Sequence, residues 1–202
     1  VELLEGDNLD EQTRKSYVDM LHQYTNRLST LIEDLFEVSK VNSGNIHLNP
    51  MELDIHALLE QAEAECGDLL EEKQLTILKE PNAAFMVKVD GSKTFRIFEN
   101  LFTNIAKYAL ANTRVYVQLE DLNDKVRIEF KNISEEQLNF NTDEIVERFV
   151  RGDKSRHTSG SGLGLAIVKS FTEAQKGSFK IETDGDLFKA VVILPKCVEE
   201  SE

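Results

Sequence analysis

Tyr17, Met20, Leu21, Tyr24, Leu28, Leu31, Ile32, Leu35 and Val38 recur every three or four positions, with Arg14, Lys15, Asp19, Asn26 and Glu33 between them. This period predicts one amphipathic helix from Leu9 to Val41, of the bundle or coiled-coil kind. Asp10 is placed to cap its start, and the turn residues NSGN, Asn42 to Asn45, to stop it. Such a stripe either packs on its own domain or needs the short preceding segment VELLEG, another subunit, or both.

After that turn the pattern changes. NIHLNPMELD predicts a strand leading to Asp54, which caps a helix running to about Glu72. LTILKE and AFMVKVD read as strands, and Asp90 caps a strongly apolar helix over 91–110. RVYVQLED and KVRIEFKN alternate with period two around LND, the pattern of a hairpin. A short helical piece, TDEIVERF, precedes a polar glycine-bearing segment from Arg151 to Ser161; a helix over 163–175 and two strands, SFKIETD and LFKAVVILP, close the chain. Hairpins and helices without regular βαβ alternation predict an α+β sandwich with helices on one face of a mixed sheet.

A chain of 202 residues with 41% hydrophobic content buries a real core. Thirty-seven acidic against 23 basic residues, net −14, argue against broad nucleic-acid binding, so any phosphate must be gripped locally. Cys66 and Cys197 stand far apart without metal-ligand spacing, which suggests neither a disulfide framework nor a zinc site and fits a reducing, cytosolic setting. No apolar run reaches membrane-spanning length, and a start at Val1 in the tail of a helix suggests a piece of something longer.

Three stretches carry candidate chemistry. In RHTSGSGLGLAIVKS three glycines stand at alternate positions before a helix, which either lets backbone N–H groups approach a phosphate or is only a flexible turn. It is neither a Walker loop, lacking Gly-Lys-Ser/Thr, nor a Rossmann fingerprint, lacking a strand directly before it. In ENLFTNIAKY, Asn100, Asn104 and Lys107 share one helix face beside Tyr108, with Leu101, Phe102 and Ile105 on the buried side. That stripe is either solvated or the lining of a pocket suited to Mg²⁺ and phosphate. In ERFVRGDKSR, Arg148, Arg151, Lys154 and Arg156 gather positive charge, either as a solvated run or as a segment closing over a polyphosphate.

NLFTNIAKY resembles the N box, ERFVRGDKSR the F-box region and GSGLGLAIVKS the G2 box of sensor histidine kinases, in the order those boxes take along the family's chain. YVDMLHQYTNRLSTLIEDLFEVSKVNSG is similar to the second helix of their dimerisation and phosphotransfer domain. The resemblance implies a Bergerat-type ATP-binding α/β sandwich over 45–202, preceded over 1–44 by the end of a helical hairpin. It implies ATP and Mg as cofactors, with Asn104 on the metal and Asn100 supporting it. Lys107 would contact phosphate and Tyr108 lie near the nucleotide. Arg151 is a candidate phosphate contact and Phe149 an anchor for a mobile lid. Gly160, Gly162, Leu163 and Gly164 would let the lid's end and the next helix approach the phosphates. The intact protein would be a membrane-anchored homodimer, with its membrane segments outside this sequence, that phosphorylates a histidine and passes the phosphoryl group to a response regulator receiver domain.

Two departures stand out. Where the family has an Asp-x-Gly-x-Gly box this chain reads EFKNISEEQLNF, with Asn132 at the aspartate position and no glycines. Its amide oxygen can still accept from an adenine amino group, and members resembling vancomycin-resistance sensors share this variant. The phosphoacceptor context, a histidine followed by an acidic residue and a nearby proline, surrounds none of His22, His47, His56 and His157. The acceptor is therefore expected upstream of Val1, leaving this piece able to bind ATP without phosphorylating itself. Two rivals are a non-catalytic ATP-domain scaffold, and an ATPase of the gyrase, chaperone or mismatch-repair type. The latter needs a catalytic acid that Glu99 does not cleanly supply.

Overall fold

A computed structural model describes residues 10–42, 46–80, 84–138 and 163–196. The opening helix, α1 (Glu11–Asn42), starts where the pattern places it. The Asp10 carboxylate accepts from the Thr13 amide at 2.9 Å and from the Thr13 hydroxyl at 2.7 Å. Then follow β1 (Pro50–Asp54), α2 (Ile55–Glu65), α3 (Gly67–Glu72), β2 (Thr76–Glu80), β3 (Met86–Asp90) and α4 (Gly91–Tyr108). Next come β4 (Arg114–Asp121), β5 (Lys125–Ile133), α5 (Gly164–Ala174), β6 (Ser178–Asp184) and β7 (Leu187–Pro195). The expected piece TDEIVERF lies outside the described residues.

The main sheet has the order β2-β4-β5-β7-β6, with β2 parallel to β4 and every other pair antiparallel; β1 and β3 form a separate antiparallel pair. One face of the main sheet carries Val115, Val117, Val126, Ile128, Phe130, Ala190, Val192 and Leu194. Against it pack Ile55 and Leu59 of α2, Ile97, Phe98, Leu101, Phe102 and Ile105 of α4, and Ile167, Val168 and Phe171 of α5, in one buried core. Period-two strands and 3.6-period helices each present one apolar face, and those faces meet here. Phe130 sits at the centre, edge-on to Phe102 at 5.5 Å and tilted against Phe98 at 6.0 Å.

Two helices differ from the sequence reading. The single helix expected to run to Glu72 breaks at Cys66 (φ −92°, ψ 4°), because Cys66 turns inward against α4, where its Sγ lies 3.7 Å from Thr103 Oγ1. Helix α4 stops at Tyr108 rather than residue 110, because Ala109 turns extended and bridges Ser134 while the Leu110 amide donates to Ile133 O at 2.9 Å. No helix of the described residues is long and apolar enough to cross a membrane.

Candidate functional site

Helix α4 supplies the floor of the site. Asp90 caps it by accepting from the Lys93 amide at 3.0 Å, and the apolar side of the helix is fixed by the core. The stripe Asn100–Asn104–Lys107 is left half-buried at the margin of that core. Asn100 donates through Nδ2 to Arg96 O at 2.7 Å, which fixes the direction of its Oδ1. That oxygen lies against the first residue of α5: a Cβ built on Gly164 would stand 2.9 Å from Asn100 Oδ1. Gly164 thus suits the close approach of two helices, since a side chain there would displace the Asn100 carboxamide, in addition to any approach of phosphate. Leu163 precedes α5 without a side-chain cap, although its carbonyl accepts from Ile167 N at 2.9 Å.

Asn104, one turn further along α4, is likewise half-buried, and its side chain carries a carboxamide oxygen, a hard donor of the kind that suits Mg²⁺. Lys107 Nζ lies 4.7 Å from the centre of the Tyr108 ring, an arrangement that holds the cation at the C-terminal end of α4. On the next stripe Cys66 is buried behind Glu99 and Thr103. Burial pushes its thiol pKa up, against an opposing contact from Thr103, with the carboxylates of Glu99 and Glu65 pushing the same way as burial. It is a packing residue.

Asn132 closes the other side. It follows Val126, Ile128 and Phe130 on the helix-facing side of β5, only 3% exposed, near the strand's end where Ala109 bridges Ser134. Its Nδ2 donates to Ile133 O at 3.2 Å, while its Oδ1 is buried with no hydrogen-bond partner among the described residues. Buried amide oxygens are ordinarily paired, so this one fits a ligand that brings its own N–H. The chain leaving β5 is pinned by Glu135 N to Tyr108 O at 2.8 Å, and by Lys73, which bridges Glu135 Oε2 at 2.7 Å and Ala109 O at 3.2 Å. Lys73 is a contributor the sequence reading did not single out, since nothing local marks a lysine that reaches across three elements.

The fold therefore sets Asn100 of α4 against Gly164 at the start of α5, with Leu163 just before it, Asn104, Lys107 and Tyr108 further along α4, and Asn132 near the end of β5 that bridges the C-terminal end of α4. Phe149, Arg151, Gly160 and Gly162 lie outside the described residues. Among the described residues no group of three or more His, Cys, Asp or Glu side chains is placed to hold a metal ion.

Residues 89–196 match the family described as histidine kinase-, DNA gyrase B- and HSP90-like ATPase. The sensor protein VanSC of Enterococcus gallinarum is 32% identical over 200 residues, 96% of this chain and 54% of its own length. The chain thus spans about half of that relative. In fold, it resembles full-length ShkA in complex with AMPPNP (TM-score 0.76, 24% identity, 98% of this chain and 42% of that one). It also resembles the histidine kinase ThkA in complex with the response regulator protein TrrA (TM-score 0.70, 17% identity, 99% of this chain and 56% of that one).

Proposed function

The chain belongs to the histidine kinase-, DNA gyrase B- and HSP90-like ATPase family, on its sensor histidine kinase side, and from that premise we propose that it binds Mg·ATP along the α4–α5 seam. There it presents the γ-phosphate to a histidine lying outside these 202 residues. The observation that carries this reading is the buried Oδ1 of Asn132, which has no partner among the described residues and would accept the exocyclic amino group of adenine. Asn104 would hold Mg²⁺, Lys107 would meet phosphate, and the start of α5, kept close by Gly164, would turn backbone N–H groups toward the same charge. Bound Mg²⁺ would neutralise phosphate charge, and catalysis would then rest on positioning more than on covalent help from the protein. Residues 1–44 would be the end of a dimerising helical hairpin, 45–202 the ATP domain, and Arg151 and Phe149 parts of a lid. In the whole, membrane-anchored protein the phosphoryl group would pass to a receiver domain.

Calorimetric titration with Mg·ATP, beside Asn104→Ala and Asn132→Ala, tests this. Binding lost without Asn104 and weakened without Asn132 is the expected result. A folded protein that gives no heat across a range of temperatures would leave the chain a non-catalytic scaffold, with the missing glycines after Asn132 as the cause.

A further inference from the structure

The two helices that carry the site approach closely at Asn100 and Gly164, and at the end remote from the site they are fastened by a buried polar node. Gln175, just past the end of α5 and 6% exposed, accepts through Oε1 from the Asp90 amide at 2.7 Å and from Thr94 Oγ1 at 3.3 Å, and donates through Nε2 to Phe171 O at 3.2 Å. Asp90, 7% exposed, uses its two carboxylate oxygens separately: Oδ1 caps α4 at the Lys93 amide, while Oδ2 accepts from the Asn49 amide at 2.9 Å. Asn49 is the last residue before β1, on the segment Ile46–Asn49 that follows α1 towards the sheet. Four elements thus meet on two side chains: that segment, the end of β3, the start of α4 and the end of α5. Each bond is buried or partly buried, where an unpaired group costs most, so the node holds one arrangement.

We propose that Asp90 and Gln175 are positioning residues that couple the segment Ile46–Asn49 to the register of α4 against α5, and so to nucleotide binding at the opposite end of those helices. The nucleotide half rests on the function proposed above; the coupling within the node does not. Because coupling between two sites is reciprocal, whatever the segment's attachment contributes to nucleotide affinity, nucleotide returns as protection of the attachment.

The test is amide hydrogen exchange at Asn49 in the 202-residue protein, with and without Mg·AMPPNP, beside calorimetric Kd values. The variants are Asp90→Asn, which keeps an oxygen to cap α4 but loses the acceptor for Asn49, and Gln175→Met. Thr94→Val, of the same shape, is a milder cut should Gln175→Met fold poorly, and Asn104→Ala is the site control. Without nucleotide, Gln175→Met is expected to speed exchange at Asn49, which it does not touch, by about fivefold or more, and Thr94→Val by less. With nucleotide, exchange at Asn49 slows in the unmodified protein, and Asp90→Asn weakens Kd by a matching factor. If Gln175→Met and Thr94→Val both leave Asn49 exchange unchanged, the coupling is overturned whether or not nucleotide binds. If Asp90→Asn frees Asn49 while Kd stays the same, the link to the site is overturned and the attachment is merely structural. If coupling within the node is seen but no variant, nor the unmodified protein, binds Mg·AMPPNP, the node is supported and the nucleotide reading falls.

Discussion

Asn132 faces two opposed demands, and a single substitution separates them. A neutral amide lets one buried side chain hold Ile133 O through its nitrogen while its oxygen keeps no partner among the described residues. Asn132→Asp replaces that nitrogen with an oxygen facing the same carbonyl and buries a charge, so the nucleotide-free protein should lose about 1–3 kcal/mol. The carboxylate, however, is the stronger acceptor for an amino group. The expected outcome in thermal melts is a lower Tm without ligand and a larger upward shift with Mg·ADP than the unmodified protein shows. A ligand shift that shrinks would mean that Asn132 does not read the base. At the other wall, Gly164→Ala drives a methyl group into Asn100 Oδ1 and should cost about 1–3 kcal/mol. Asn100→Ala in the same chain should return part of that loss, and equal Tm values for the single and double variants would rule out the collision as its cause.

At the scale of the element, Phe130 joins β5 to α4, so Phe130→Ala should lose about 3–5 kcal/mol in denaturant unfolding. Ion pairs matter less and show themselves in acid. Lys196 holds the Asp121 carboxyl below its ordinary value, and Lys180 and Lys189 do the same for Glu182 on β6. A depressed carboxylate contributes stability that is complete above its unfolded pKa, about 4, and is lost as pH falls through the lower folded value. Tm should therefore fall between about pH 5 and 3, and Asp121→Asn with Glu182→Gln should flatten that fall. The same strands show what the sequence makes legible. The bounds of β4, β6 and β7 match the sequence reading to the residue, strict alternation marks β4, and in β5 parity alone puts Asn132 on the face of Val126, Ile128 and Phe130, marking it as a buried polar group. The break at Cys66, the parallel pairing of β2 with β4 and the node at Gln175 depend on partners distant in sequence, Thr103, Arg114–Gln118 and Asp90, which no local period encodes. Asn100 is intermediate: its stripe is readable, but its seat against Gly164 is not.

For the molecule as a whole, the open question is what covers α1. Tyr24, Leu28, Leu35 and Phe36 are 58–63% exposed, and Met20 and Ile32 are also exposed. Leu21, Tyr24, Leu28, Ile32 and Leu35 keep the three-and-four spacing of a helix seam, and an apolar stripe of that length in water favours a second copy. The net charge of −14 works against this, because copies brought together repel, whereas burial of the seam is insensitive to screening. The two terms predict a signature: sedimentation should show self-association at micromolar concentration that strengthens as salt rises from about 0.05 to 0.5 M, across which the Debye length shrinks severalfold. Leu28→Glu with Leu35→Glu should leave a monomer at every salt concentration without loss of helix by circular dichroism, because neither side chain supports the core around Phe130. An unmodified chain that stays monomeric in high salt would show that this stripe needs a different partner from its own copy.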